Sequence, residues 1–177
     1  MPAKQNIFLT GFMGSGKTTA GQKLARLLKT NFVDLDQYIE QTQKLTIQSL
    51  FENFGEDAFR KIEQKCLLEL IATQTNSVIA LGGGTICYHN NLEKIKKAGY
   101  LIYVELPAIT LSQRLEKSKN QRPLLKGLKG EVLTAFINDK LAERFIFYNQ
   151  ADIKISGLNL TPQILSFAIA EYKNKNV

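Results

Sequence analysis

The sequence predicts an α/β fold, a five-stranded parallel sheet with helices on both faces, in one domain over residues 1–177. Three observations predict it. Five short apolar runs alternate with helical patterns, as in sheets built by helical crossovers. The first, third and fourth runs are almost wholly apolar, which suits strands covered on both faces. A glycine-rich turn ending in a lysine joins the first run to the first helical pattern.

The strand-like runs are Asn6 to Gly11, Asn31 to Asp36, Ser77 to Gly84, Tyr100 to Leu106 and Asp152 to Ser156. Helical spacing places Ala20, Leu24, Leu27 and Leu28 on the inner face of Lys17 to Lys29. It does the same for Phe59, Ile62, Cys66, Leu67, Leu70 and Ile71 within Asp57 to Thr73. Further helices are expected over Asn91 to Ala98, Ile109 to Lys117, Glu131 to Asn149 and Thr161 to Lys175, with Pro107 and Pro162 near helix starts, where proline is tolerated. About forty residues separate the second and third runs, room for several helices. Lys117 to Gly130 is basic, contains glycine and lacks periodicity, so it reads as a mobile loop.

Composition narrows the chemistry. The chain of 177 residues is 44% hydrophobic, enough for a sizeable core. Its net charge of +7 is scattered rather than run together, which favours small anions or solvated surface over nucleic acid. Cys66 and Cys87 have no metal-ligand or disulfide spacing, and Cys66 reads as core. No signal peptide or long apolar run is visible, so a cytoplasmic protein with no membrane partner is expected. His89 is the single histidine and reads as a loop or helix-start residue, which leaves hydrolase triads unattractive.

The turn "GFMGSGKTT", Gly11 to Thr19, fits the G-x-x-x-x-G-K-[ST] phosphate loop in its required strand–turn–helix context. Its backbone N–H groups at Gly14, Ser15 and Gly16 and the following helix N-terminus, with Thr19, would cradle the phosphates of a nucleoside triphosphate. Lys17 would reach the outer phosphates and the Thr18 hydroxyl would ligate Mg2+. The other candidates also fall at strand ends, where open parallel sheets bind ligands. Asp34 and Asp36, two apart in "FVDLD", would share one side of the strand end. One would hold a Mg2+-bound water and the other orient or deprotonate an acceptor hydroxyl; the alternative is a pair of helix-capping carboxylates. Because the third run ends in glycine, Asp34 is the candidate for the metal role. Gly82, Gly83 and Gly84 permit unusual dihedrals and close backbone approach to an anion, or simply make a sharp turn.

Four arginines complete the set. Arg60 and Glu63, three apart on one helix face, form either a solvated ion pair or a guanidinium held ready for a substrate carboxylate. Arg122, in the irregular loop, either closes over the γ-phosphoryl group as a lid arginine or is one more surface cation. Arg114 lies against the adenine face or is solvated. Arg144, among apolar neighbours, calls for an anionic partner.

The ordered series "GFMGSGKTT", "FVDLD", "FGEDAFRKIE", "LGGG", "QRPLL" and "ERFIFYNQAD" resembles the shikimate kinase family of P-loop proteins over nearly the whole chain. The resemblance implies ATP-dependent, Mg2+-assisted phosphorylation of the 3-hydroxyl of shikimate, a step toward chorismate and the aromatic amino acids. It implies Lys17, Asp36 and Arg122 as catalytic residues, with Asp36 holding the reacting hydroxyl. Arg60 and Arg144 clamp the carboxylate, Gly83 donates from its backbone, and Thr18 and Asp34 (through water) serve the metal. It also implies a substrate-binding segment about 34–62, a lid about 117–130 and a monomer. Ile146 and Gln150 depart from the proline and glutamate common in the family. A gluconokinase-like enzyme, the alternative, would keep the phosphate loop without needing Arg60, Glu63 and the three glycines together.

Overall fold

A computed structural model describes residues 5–118, 125 and 127–175. Its strands are β1 (Asn6–Thr10), β2 (Phe32–Asp34), β3 (Val78–Ala80), β4 (Gly99–Glu105) and β5 (Ile153–Ser156). They form one parallel sheet in the order β2-β3-β1-β4-β5. The helices are α1 (Lys17–Leu28), α2 (Leu35–Gln43), α3 (Ile47–Thr73), α4 (Asn91–Ala98), α5 (Ala108–Lys117), α6 (Gly130–Tyr148) and α7 (Pro162–Lys175), with a 3-10 turn at Thr85–Cys87.

Strand alternation sorts the core into layers. Ile7 and Leu9 of central β1 meet Ala20, Leu24, Leu165 and Ile169 of α1 and α7 on one face. Phe8 points the other way, into Leu35, Ile39, Leu67, Leu70, Tyr103 and Tyr148. A third cluster joins Phe12 of the phosphate loop to Leu106, Ala108 and Leu111 around α5 and to Leu133 and Ile137 of α6. Among the described residues no helix is long and apolar enough to cross a membrane.

Four expectations need correction. Leu27 and Leu28 are 46% and 39% exposed, and the inner face of α1 is Lys17, Ala20, Gly21, Leu24 and Ala25. At 100° per residue Leu27 falls about a quarter-turn off that stripe; Leu28 is in line with it but is the last helical residue. The helix expected over 57–73 begins at Ile47 and breaks at Gly55, whose φ of 78° and ψ of 173° separate two helical segments. The second strand ends at Asp34, and Asp36 lies in the first turn of α2, so the two carboxylates do not share a strand face. None of Gly82, Gly83 and Gly84 has φ in the left-handed region that favours glycine; glycine is needed there for room, as the site makes plain.

Candidate active site

The phosphate loop leaves the sheet at its central strand. Gly14 and Gly16 take φ of 83° and 94°, the left-handed region that favours glycine, and the Gly16 carbonyl accepts the Ala20 N–H to open α1. Lys17 is buried, and its Nζ donates to the carbonyls of Gly11 at 2.8 Å and Phe12 at 3.0 Å. The Ser15 side chain is buried with no hydrogen-bond partner for its hydroxyl.

Asp34 caps a helix with one oxygen and meets the phosphate loop with the other. Its Oδ1 caps α2, accepting from the N–H groups of Asp36 at 3.0 Å and Gln37 at 3.3 Å. Its Oδ2 accepts from the Thr18 hydroxyl at 2.6 Å. The hydroxyl proton is thereby spent on Asp34, and the Thr18 oxygen lone pairs remain for a cation. Asp36, at the N-terminal end of α2, is favoured there as an anion by the helix dipole.

The Arg60–Glu63 pair is a buried one, contrary to the solvated alternative: the side chains are 5% and 1% exposed. Arg60 Nη1 donates to Glu63 Oε2 at 2.9 Å, and the other Glu63 oxygen accepts from the buried Thr85 hydroxyl at 2.7 Å. Arg60 Nε and Nη2 both donate to Glu56 Oε1. Burial disfavours the guanidinium charge, but Glu63 and Glu56 outweigh that and raise its pKa further. Burial likewise pulls Glu56 toward its neutral form, and Arg60 overcomes this, leaving the carboxyl below the usual carboxylate range.

Arg144 differs. It is buried, its Cζ lies 5.3 Å from the centre of the Phe12 ring, and Nη1 donates to the Gly83 carbonyl at 3.1 Å. Among the described residues no carboxylate pairs with it, so the anionic partner that its setting calls for is not supplied by them. The Gly83 carbonyl also accepts from Tyr148, which is stacked at 4.5 Å on Tyr103. Burial pushes the Tyr148 hydroxyl far up, keeping it a donor, and pushes Tyr103 up to about 12.

The three glycines fit between these groups. A Cβ on Gly82 would come within 2.9 Å of Glu63 Oε1, and one on Gly84 within 2.9 Å of Arg60 Nη2. On Gly83 it would press on the phosphate-loop backbone at Met13 N, 3.2 Å away.

All of this surrounds one cleft of about 270 Å³. It gathers Gly14, Gly16, Lys17, Thr18, Thr19, Asp34, Asp36, Arg60, Gly82, Gly83, Gly84 and Arg144. Arg114 is exposed outside it, with Nη1 3.4 Å from the Gly14 carbonyl. Arg122 and half of the expected lid lie outside the described residues. Sequence reasoning missed the apolar wall of Met13, Ile47, Phe51, Phe59 and Leu81, as well as Thr85, Glu56 and Tyr88. The faint signal was Phe51 and Phe59 flanking the Gly55 break; their rings lie 4.4 Å apart.

A parallel sheet with a phosphate loop after its central strand, facing a cleft lined by a lysine, two arginines and three carboxylates, defines a P-loop phosphotransferase. Comparison with known proteins specifies which. The shikimate kinase family model matches residues 13–172. A shikimate kinase of Parabacteroides distasonis is 42% identical over 84% of this chain and 86% of that protein. The structure of shikimate kinase from Bacteroides thetaiotaomicron superposes with a TM-score of 0.86 at 36% identity, covering 98% of this chain and 99% of that one. That from Acinetobacter baumannii, in complex with shikimate, gives 0.84 at 36% identity over 94% of each. The chain belongs to the shikimate kinase family and is an ATP-using kinase. A gluconokinase from Sinorhizobium meliloti, at 11% identity and TM-score 0.59, shares the fold alone.

Proposed function

We propose that the protein transfers the γ-phosphoryl group of ATP directly to the 3-hydroxyl of shikimate, forming shikimate 3-phosphate. The observation that carries this reading is Arg144, buried beside the Gly83 loop without a carboxylate partner among the described residues, in the same cleft as Arg60. A guanidinium so placed is best satisfied by an anion, and the carboxylate of the acceptor supplies one. Arg60 supports the same role: three of its N–H groups are bonded, and two of its five remain for a two-pronged carboxylate.

Asp36, in the cleft between Thr18 and Gly82, is proposed to hold the acceptor hydroxyl and align it for in-line attack. The Gly83 N–H would be a further donor to the acceptor. Lys17 would exchange its two loop carbonyls for phosphate oxygens, and Arg122 would join it against the transferring group. Arg114 would cover the adenine. We assign residues 34–62 to acceptor binding and 117–130 to a lid of one single domain.

The donor set fits Mg2+. Thr18 offers a hydroxyl whose proton is already given to Asp34, and Asp34 offers a carboxylate to a metal-bound water. Among the described residues no cluster of three or more His, Cys, Asp or Glu could hold a metal alone, which suits an ion bound largely by water and phosphates. Such an ion would supply charge neutralisation on the phosphates.

The test is ADP release from MgATP with shikimate, gluconate or a nucleoside monophosphate offered separately. Turnover dependent on shikimate alone is expected. Turnover with gluconate and none with shikimate would overturn the roles given to Arg60 and Arg144.

A further inference from the structure

Tyr88 follows the 3-10 turn on extended backbone, with φ −123° and ψ 152°. The centre of its ring lies 4.3 Å from Arg60 Cζ, and its hydroxyl donates to Glu56 Oε1 at 3.1 Å. That single oxygen also takes Arg60 Nε at 3.2 Å and Nη2 at 3.0 Å. Tyr88 therefore touches Arg60 twice, once on its face and once through the carboxylate along its edge.

The electrostatics give this arrangement a purpose. Two carboxylates around one guanidinium over-neutralise it, which works against an incoming substrate carboxylate. A ring face holds a guanidinium without using any of its N–H groups and without cancelling its charge. A hydroxyl donated to Glu56 draws on the negative charge of that oxygen and fixes it along the edge of Arg60 away from Glu63. The two unused N–H groups of Arg60 then keep a fixed direction. Glu56 is 42% exposed, so it has little else to hold it.

We propose that Tyr88 is a positioning residue for the acceptor: it sets the plane of Arg60 and anchors Glu56, and so tunes affinity for the substrate carboxylate. This rests on the reading that Arg60 receives that carboxylate. Nothing in the phosphate loop depends on it, so ATP binding is untouched.

The experiment is steady-state kinetics of Tyr88→Leu and Tyr88→Phe with each substrate varied, together with calorimetric titration of shikimate. Tyr88→Leu removes the ring face and the hydroxyl, and should raise the KM and Kd for shikimate about five- to tenfold, with kcat and the KM for ATP within about twofold. Tyr88→Phe keeps the ring face, rescues most of that loss and leaves a rise of about two- to threefold. A shikimate KM unchanged in Tyr88→Leu would overturn the inference, as would equal rises for both substrates, which mark a merely structural role. If Tyr88→Leu does not fold, the Phe variant decides: a shikimate Kd equal to wild type overturns the inference. A wild-type enzyme that turns over ATP without regard to shikimate would instead sink the proposed function, and this inference with it.

Discussion

Removing Glu63 tests the buried ion pair most directly. Glu63→Ala leaves Arg60, 5% exposed, with Glu56 as its remaining carboxylate and strips the buried Thr85 hydroxyl of its acceptor. Breaking a buried pair from one side costs about 3–5 kcal/mol, because the surviving charge stays desolvated. Glu56 keeps two bonds to Arg60, which favours the lower end, while the orphaned hydroxyl adds about 1 kcal/mol. The expected loss is about 3–4 kcal/mol. For a chain of this size that is a fall in Tm of roughly 6–16 °C. Urea unfolding followed by circular dichroism measures it. The companion Arg60→Met/Glu63→Leu replaces the pair by apolar groups of similar volume and should recover most of the stability, while shikimate binding should weaken with the loss of Arg60. A loss below about 0.5 kcal/mol in Glu63→Ala would refute the reasoning, since the charge would then be solvated despite its burial.

Two further outcomes follow from local geometry. Gly84→Ala has backbone dihedrals that alanine accepts, φ −111° and ψ −3°, but its Cβ would lie 2.9 Å from Arg60 Nη2. Because Glu63 and Tyr88 pin that guanidinium, the variant should raise the shikimate KM about tenfold with little change for ATP; a rise confined to ATP would contradict it. Burial pushes the Cys87 thiol up to about 11, against an opposing pull from Arg144. At pH 8 its thiolate fraction is then about a hundredfold below that of an ordinary thiol, so alkylation by iodoacetamide should be slow and climb steadily toward pH 10. A plateau by pH 9 in rates followed by mass spectrometry would be inconsistent with that burial.

The extent to which the site was legible followed the reach of the forces involved. Arg60 and Glu63 were found because i,i+3 spacing on a helix makes neighbours wherever the helix lies. Asp34 was found, and of its two readings the capping one holds for one oxygen, while the other oxygen meets Thr18. The dihedral argument for Gly82 to Gly84 was mistaken because the constraint there is not local: it comes from Glu63, the phosphate-loop backbone and Arg60 pressing on the three glycines in turn. Tyr88 gave no signal, since a tyrosine beside a lone histidine has no periodicity to betray it.

The sequence by itself determined the alternation of strands and helices, the phosphate loop with its glycines and lysine, and the list of charged groups available for chemistry. These rest on rules that operate within a few residues: side-chain period, capping and turn stereochemistry. The tertiary structure decided which groups meet. Tyr148 reaches Gly83 across 65 residues and Thr85 reaches Glu63 across 22. Those contacts exist because parallel pairing turns the carboxyl ends of β1, β2 and β3 to one edge of the sheet. The burial of Arg144, with no carboxylate beside it among the described residues, belongs to the same level, because desolvation is a property of the packed molecule and of no segment in it.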